Sequence, residues 1–263
     1  MGYKYNNLMY EDKEFLVCSG PVSAFIKEVN FHPNTKLIQP YAFSRCADIK
    51  KVNFPDDIEC LASHAFSDCI HLEYIDLSNT NVQLVEGCFE GCSRLEYFKA
   101  PKHKQESLRS TFMYCDSLKH IDLSNMDVQI LENTFNRCKN LENVILPKKL
   151  EMIKGLCFAN TSLKNIDLPD SITFLDGEIF TNTKLTNIVL PSNLRYLNDF
   201  LWGSSIKNLY YKKDINEYAL NTIKEYIRVN EYDVKIQNID LDALLAQNKS
   251  LKEITKIFKD IER

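Results

Sequence analysis

Glycine is scarce: seven among 263 residues. None falls in a Gly-rich phosphate-cradling run, so nucleotide-loop chemistry has no sequence support. There is one tryptophan. No apolar run approaches the ~18 residues needed to span a bilayer. The opening stretch, MGYKYNNLMYEDKEFLVC, has no basic start followed by an apolar segment. The expectation is therefore no secretion signal and a cytoplasmic location. Neither charge sign dominates: 32 Lys+Arg stand against 36 Asp+Glu, for a net charge of −4. Residues 214–263 carry eight basic and ten acidic side chains, so the tail is not a basic arm. These balances speak against a nucleic-acid partner, and no membrane partner is expected. No C-x-x-C pair exists, and the five histidines fall in no nucleophile motif.

What the chain does have is repetition. FSDCIHLEYIDLSN (66–79) and FMYCDSLKHIDLSN (112–125) agree at eight of fourteen positions, 46 residues apart. Phe43, Phe66, Phe89, Phe112, Phe135 and Phe158 are spaced by 23, and Phe180 follows by 22. Cys46, Cys69, Cys92, Cys115 and Cys138 stand three residues after the first five; Thr161 and Thr183 take that place later. The unit reads F-x-x-C-x-x-L-x-x-I-x-L-P. A closing apolar position sits five residues before the next aromatic: Leu61, Leu84, Ile130, Ile153 and Leu175.

A fixed period between 20 and 29 with L-x-x-I-x-L inside predicts a leucine-rich-repeat solenoid. In that string the last two apolar residues are two apart, so they share one face of a short strand. Proline or serine ends it, because proline offers no N–H to the ladder. One unit cannot cover its own apolar face, and stacking covers them all. The predicted class is an α/β repeat: a curved parallel sheet on the concave side, with short helical or irregular turns on the convex side. About nine strands at ~4.8 Å give a ladder of roughly 40 Å.

The segments IECLASHAFSDCIHLEYIDLS and LEMIKGLCFANTSLKNIDLP resemble the BspA-like, or Treponema-type, leucine-rich repeats, whose hallmark is I-x-x-I-G-x-x-A-F-x-x-C-x-x-L-x-x-I-x-L-P. The resemblance runs over roughly residues 22–212. The hallmark glycine is replaced by Ala62, Val85, Leu131, Lys154 and Asp176. Many relatives are surface or secreted proteins, so the resemblance also implies an adhesin as an alternative.

Residues 1–21 read as a hairpin cap, 22–212 as about nine repeats of period 23 then 22, and 213–263 as a helical cap and tail. Asp214 with Glu217 forms a capping-box pattern before an apolar face of Ile215, Tyr218, Ala219, Ile223, Tyr226 and Ile227. DVKI reads as a short strand, Asp240 opens a brief helix, and Ser250–Ile261 reads as an amphipathic helix. That last helix either folds back or docks into a partner. In APKHKQESLRSTF a solvated, bulged turn is expected, with Lys102, His103, Lys104 and Arg109 exposed and the core position on Ser107 or Leu108. It is either a decayed turn or a basic contact site.

Two constellations remain. The cysteine column is evenly spaced, unlike the two convergent pairs of a zinc site. It reads as buried thiols that Thr161 and Thr183 can replace, and no metal or other cofactor is expected. On the strands, the outward residues form columns. Tyr74, Tyr97 and His120 stand side by side, with Asp76, Lys99 and Asp122 beside them. Ile145, Val189 and Tyr210 are expected to expose apolar surface further along. Tyrosines on a rigid sheet are good binding anchors, but they also stack for stability, and alternating charges also pair across strands. The reading that follows is a non-enzymatic scaffold binding a protein partner through the concave face at these nine residues. The alternatives are contact or weak self-association through the C-terminal helix of an otherwise monomeric chain, a surface adhesin, and a hydrolase or metal enzyme.

Overall fold

The computed structural model describes residues 2–102, 104–212, 214–230 and 232–239. Within them the chain is a parallel β-solenoid. The first ladder stacks short strands in four hydrogen-bonded groups: Glu28–Asn30 with Lys51–Asn53, Tyr74–Asp76 with Tyr97–Lys99, His120–Asp122 with Asn143–Ile145, and Asn187–Leu190 with Asn208–Lys212 and Lys235–Ile239. The three-residue strands each bury their central apolar residue and turn its neighbours outward, as in Tyr74–Ile75–Asp76. Residues 165–167, expected in the same ladder, have no strand geometry, although Ile166 is buried.

The return path holds a second parallel ladder, not irregular or helical turns alone. Its strands are Leu37–Ile38, Cys60–Leu61, Gln83–Leu84, Lys104–Arg109, Asp127–Glu132, Met152–Lys154, Phe174–Asp176 and Tyr196–Asn198. Between the two ladders run tight turns with two left-handed residues flanking the phenylalanine: His64 and Asp68 around Phe66, Gly87 and Gly91 around Phe89, Ser110 and Tyr114 around Phe112. The expected bulged turn at 102–109 is instead the six-residue strand Lys104–Arg109, in register with Asp127–Glu132. Gln105 makes this possible: its buried side chain bonds Leu84 N–H and Val82 C=O at 3.1 and 2.9 Å, replacing ladder contacts. Lys104 and Arg109 are exposed, and Leu108 fills the core; His103 lies outside the described residues. In the next rung the core position is Leu131. Ile130, read as core, faces outward because that strand buries Val128 and Leu131.

The phenylalanine column is the spine. Phe43, Phe66, Phe89, Phe112, Phe135, Phe158 and Phe180 are fully buried, and successive rings stack with centroids 5.0–6.2 Å apart. Offset stacking of buried rings adds ~0.5–1.5 kcal/mol per pair beyond burial itself. The stack is a product of the repeat: one ring per turn, held at the ladder spacing.

The two ends differ. Tyr3–Tyr5 and Leu8–Tyr10 form an antiparallel hairpin, and Val17–Pro21 joins it to Leu37–Ile38. At the other end the helix Glu217–Val229 buries Ala219 and Ile223 and lies by Tyr196–Asn198. Its N-cap is Asn216, whose Oδ1 accepts Ala219 N–H at 3.2 Å. The expected capping box is not formed, because Asp214 accepts Ser192 Oγ–H at 3.1 Å. Tyr218, expected on the apolar face, is exposed. Lys235–Ile239 follows the helix as a strand parallel to Asn208–Lys212. The expected helices at Asp240 and Ser250–Ile261 lie outside the described residues.

Candidate functional site

The thiol column has a definite job. Cys69, Cys92, Cys115 and Cys138 each donate S–H to the carbonyl of the phenylalanine one turn back: Phe43, Phe66, Phe89 and Phe112, at 3.2, 3.2, 3.3 and 2.9 Å. Thr161 and Thr183 donate to Phe158 and Phe180 of their own turn, at 2.8 and 2.9 Å. The position therefore takes a small buried donor. Burial pushes the Cys92 and Cys157 thiols up to about 12, away from thiolate chemistry. Among the described residues no three His, Cys, Asp or Glu side chains converge as a metal site.

The outward face of the first ladder gathers most of the columns read from the sequence. Tyr97 lies opposite Tyr74 and Lys99 opposite Asp76. His120 lies opposite Asn143 and Asp122 opposite Ile145. Tyr74, Tyr97, Lys99, His120, Asp122 and Ile145 together line a shallow depression of about 310 Å³. Asn143 joins them, a residue not singled out for the site, although its place in the column after His120 signalled it. Its Nδ2 is 2.9 Å from His120 Nδ1, which fixes the imidazole plane.

The members differ in freedom. Tyr74 O–H donates to Asp76 Oδ2 at 2.7 Å, and Lys99 Nζ reaches the same oxygen at 2.8 Å while lying 5.8 Å from the Tyr74 ring centre. Partial burial opposes ionisation of Asp76. Bonds from Lys99, the Ser78 hydroxyl, Tyr74 and Ser78 N–H outweigh it and hold the carboxyl well below the usual range. The bond to Asp76 in turn raises the Lys99 ammonium. Lys99 thus pairs with Asp76, while Asp122 accepts Ser124 N–H at 2.8 Å. Tyr97 is 64% exposed, and its hydroxyl makes no hydrogen bond among the described residues; Ile145 is 54% exposed.

Val189 and Tyr210 lie apart from this depression, in register with each other on later rungs. Val189 is half-buried, and Tyr210, expected to be exposed, is buried. Tyr210 is flanked by Val189 on one side and by Gln237 of the added strand on the other, so it is an interior rung and not a surface. The second ladder carries an outward stripe that sequence reading missed: Ile130, Met152, Phe174 and Tyr196 in successive register. Phe174 and Tyr196 stack at 4.4 Å. The sequence hides this stripe because Ile130 stands five residues before Phe135, the spacing of a core position.

Comparison with known proteins follows the same lines. The profile of the BspA type leucine rich repeat region matches in six copies, over residues 22–141 and 106–227. No curated protein matches the chain. Among solved structures, a leucine-rich repeat protein from Bacteroides ovatus is similar at 21% identity and TM-score 0.60, over 91% of this chain and 67% of that one. A leucine rich cell surface protein from Faecalibacterium prausnitzii gives 13% identity and TM-score 0.61, over 82% of this chain and 71% of that one. A leucine-rich repeat protein from Eubacterium ventriosum gives 22% and 0.59, over 70% of this chain and half of that one. At these identities the structures establish the shared fold. With the phenylalanine spine, the stacked rungs and the profile match over most of its length, the chain belongs to the BspA-type leucine-rich repeat family.

Proposed function

We propose that the chain is a non-catalytic scaffold that binds a protein partner at the depression around Tyr97. The observation that carries this reading is the pairing of an exposed Tyr97 side chain, its hydroxyl without a hydrogen bond among the described residues, with an exposed Ile145 in one concavity. Its rim is pre-organised by the Tyr74–Asp76–Lys99 and His120–Asn143 contacts. A rigid aromatic anchor loses little entropy on binding, and such anchors commonly dominate interface energies. Mixed charge at the rim, Lys99 beside Asp122, suits a peptide or protein surface better than a polyanion.

The test is a photo-crosslinking amino acid placed at position 97 in the native cell, with position 114 on another face as control. Adducts to a defined protein from 97 and not from 114, lost in Ile145→Asp, support the site. Equal adducts from both positions sink it. A Tyr97→Ala variant should weaken the captured complex by about 2 kcal/mol with the fold intact.

A second reading, display on a cell surface, draws on the description of the F. prausnitzii neighbour as a cell surface protein. Fractionation of the native cell separates it from a cytoplasmic placement.

A further inference from the structure

The N-terminal end of the solenoid is uneven. On the second ladder, Val17–Pro21, Leu8–Tyr10 and Tyr3–Tyr5 continue the sheet beyond Leu37–Ile38. The first ladder has no counterpart: among the described residues Glu28–Asn30 is paired on one side only, with Lys51–Asn53. Against its open edge lies a notch of about 510 Å³, lined by Asn6, Asn7, Leu8, Ile26, Glu28 and Asn30.

The pairing decides which backbone groups face that notch. Lys27 C=O accepts N–H from Lys50 and Lys51 at 2.9 and 3.4 Å. Successive residues of a strand send their N–H and C=O to opposite neighbours. Lys27 and Val29 therefore serve the strand Lys51–Asn53, and Glu28 and Asn30 direct theirs into the notch. The reach of Asn6 Nδ2 toward Asn30 C=O, at 3.5 Å, agrees with this direction.

The lining residue Glu28, and residues adjoining the lining in the chain, point to the kind of occupant. Phe25, next to Ile26, is 82% exposed, and Val22 is 48% exposed. Val22 is tied to the rim, since its N–H donates to Asn7 C=O at 2.6 Å. Lys51 and Asn53 both engage Glu28 Oε1, at 3.1 and 2.9 Å, and Oε2 accepts no bond among the described residues. An open edge of this kind is a template for strand addition, and folds that do not use one cover it.

We propose that the notch accepts an extended segment of a partner protein, added as a strand to Glu28–Asn30. The segment carries a basic residue beside Glu28 and an apolar side chain against Phe25 and Val22. A strand is the occupant whose alternating donors and acceptors match those of Glu28 and Asn30; a helix has none to offer. This contact is separate from the Tyr97 depression, which lies three rungs along the ladder.

The experiment screens a random heptapeptide display library against the whole chain. The expected result is enrichment of alternating sequences with one Lys or Arg, and the enriched peptide slows hydrogen exchange at the Glu28 and Asn30 amides at least tenfold. Phe25→Ser, at an exposed position, weakens binding about tenfold. Asn30→Pro abolishes it by removing the donor that faces the notch, while the backbone bonds of Val29 remain. Tyr97→Ala binds as the parent does, which separates this site from the other. No enrichment, enriched peptides that leave those amides unprotected, or equal binding by Phe25→Ser and Asn30→Pro overturns the proposal. Concentration-dependent protection of the two amides without peptide also overturns it, because the occupant is then a second copy.

Discussion

The Cys92 thiol donates to the Phe66 carbonyl across one full turn, 26 positions back, at 3.2 Å. This bond couples the side chain of one repeat to the backbone beneath the stacked ring of the repeat before it. It explains why threonine can take over from cysteine at this buried position in the later repeats. The substitution Cys92→Val removes the donor at the volume of threonine, and it should cost about 1–2 kcal/mol. Cys92→Thr, able to bond Phe89 as Thr161 bonds Phe158, should cost less. Urea denaturation ranks the two; equal costs would show that size alone governs the position.

The buried thiols set an alkaline limit. Cys18, Cys92 and Cys157 are pushed up to about 12 by burial, against about 8.5 in an unfolded chain. A raised folded-state value means the contribution is complete below the unfolded value and is lost as pH rises toward the folded one. Between pH 9 and 12 each such thiol should remove ~1.4 kcal/mol of stability per pH unit. Thermal unfolding followed at pH 7, 9 and 10.5 measures the slope. Cys92→Thr should lessen it, and a slope unchanged by that substitution would contradict the assignment.

Asp76 titrates in the opposite sense. Its depressed value makes its contribution present above about 3.9 and lost as pH falls below that toward the folded value. Its side chain is 34% exposed and that of Lys99 59%, so solvent screening keeps the stability effect of Lys99→Met small. The sharper readout is the carboxyl carbon shift of Asp76. Lys99→Met should move its titration up toward ordinary aspartate; an unmoved curve would show that Ser78 and Tyr74 suffice.

Gly87 holds a left-handed turn at φ +64, and an added Cβ would sit 2.3 Å from the His64 ring. Gly87→Ala should cost about 1–2 kcal/mol from the backbone alone, with displacement of His64 from its contact with Glu90 at 3.3 Å. Arg45→Gly, at φ 62 on an exposed turn, should be neutral or slightly stabilising. Urea midpoints compare them. A neutral Gly87→Ala would mean the turn can relax.

Much of this fold was legible in the residues, and the exceptions share causes. Phe66, Phe89 and Phe112 could be placed in one column because stacked turns force equal spacing. Tyr74, Tyr97 and His120 could be placed side by side because strand alternation fixes which residues face out. The second ladder was not legible, since Leu37–Ile38 or Cys60–Leu61 is too short to show a period of two. Its left-handed turns were hidden as well, because Tyr114, Arg137 and His64 occupy them beside Gly87 and Gly91. The neighbouring turn compels that conformation whatever the residue prefers.

The amino-acid sequence on its own determined the repeat, the buried ring and thiol columns, and the outward columns of the I-x-L strands, because each depends on spacing within one turn. Only the tertiary structure decided that Tyr210 is covered and Tyr97 is not, that Asn216 rather than Asp214 caps the helix, and that Glu28–Asn30 keeps an open edge. Those outcomes depend on which segment arrives from elsewhere in the chain: Lys235–Ile239 beside Tyr210, Ser192 beside Asp214, and no strand among the described residues beside Glu28. Spacing within a repeat carries no information about what meets its ends.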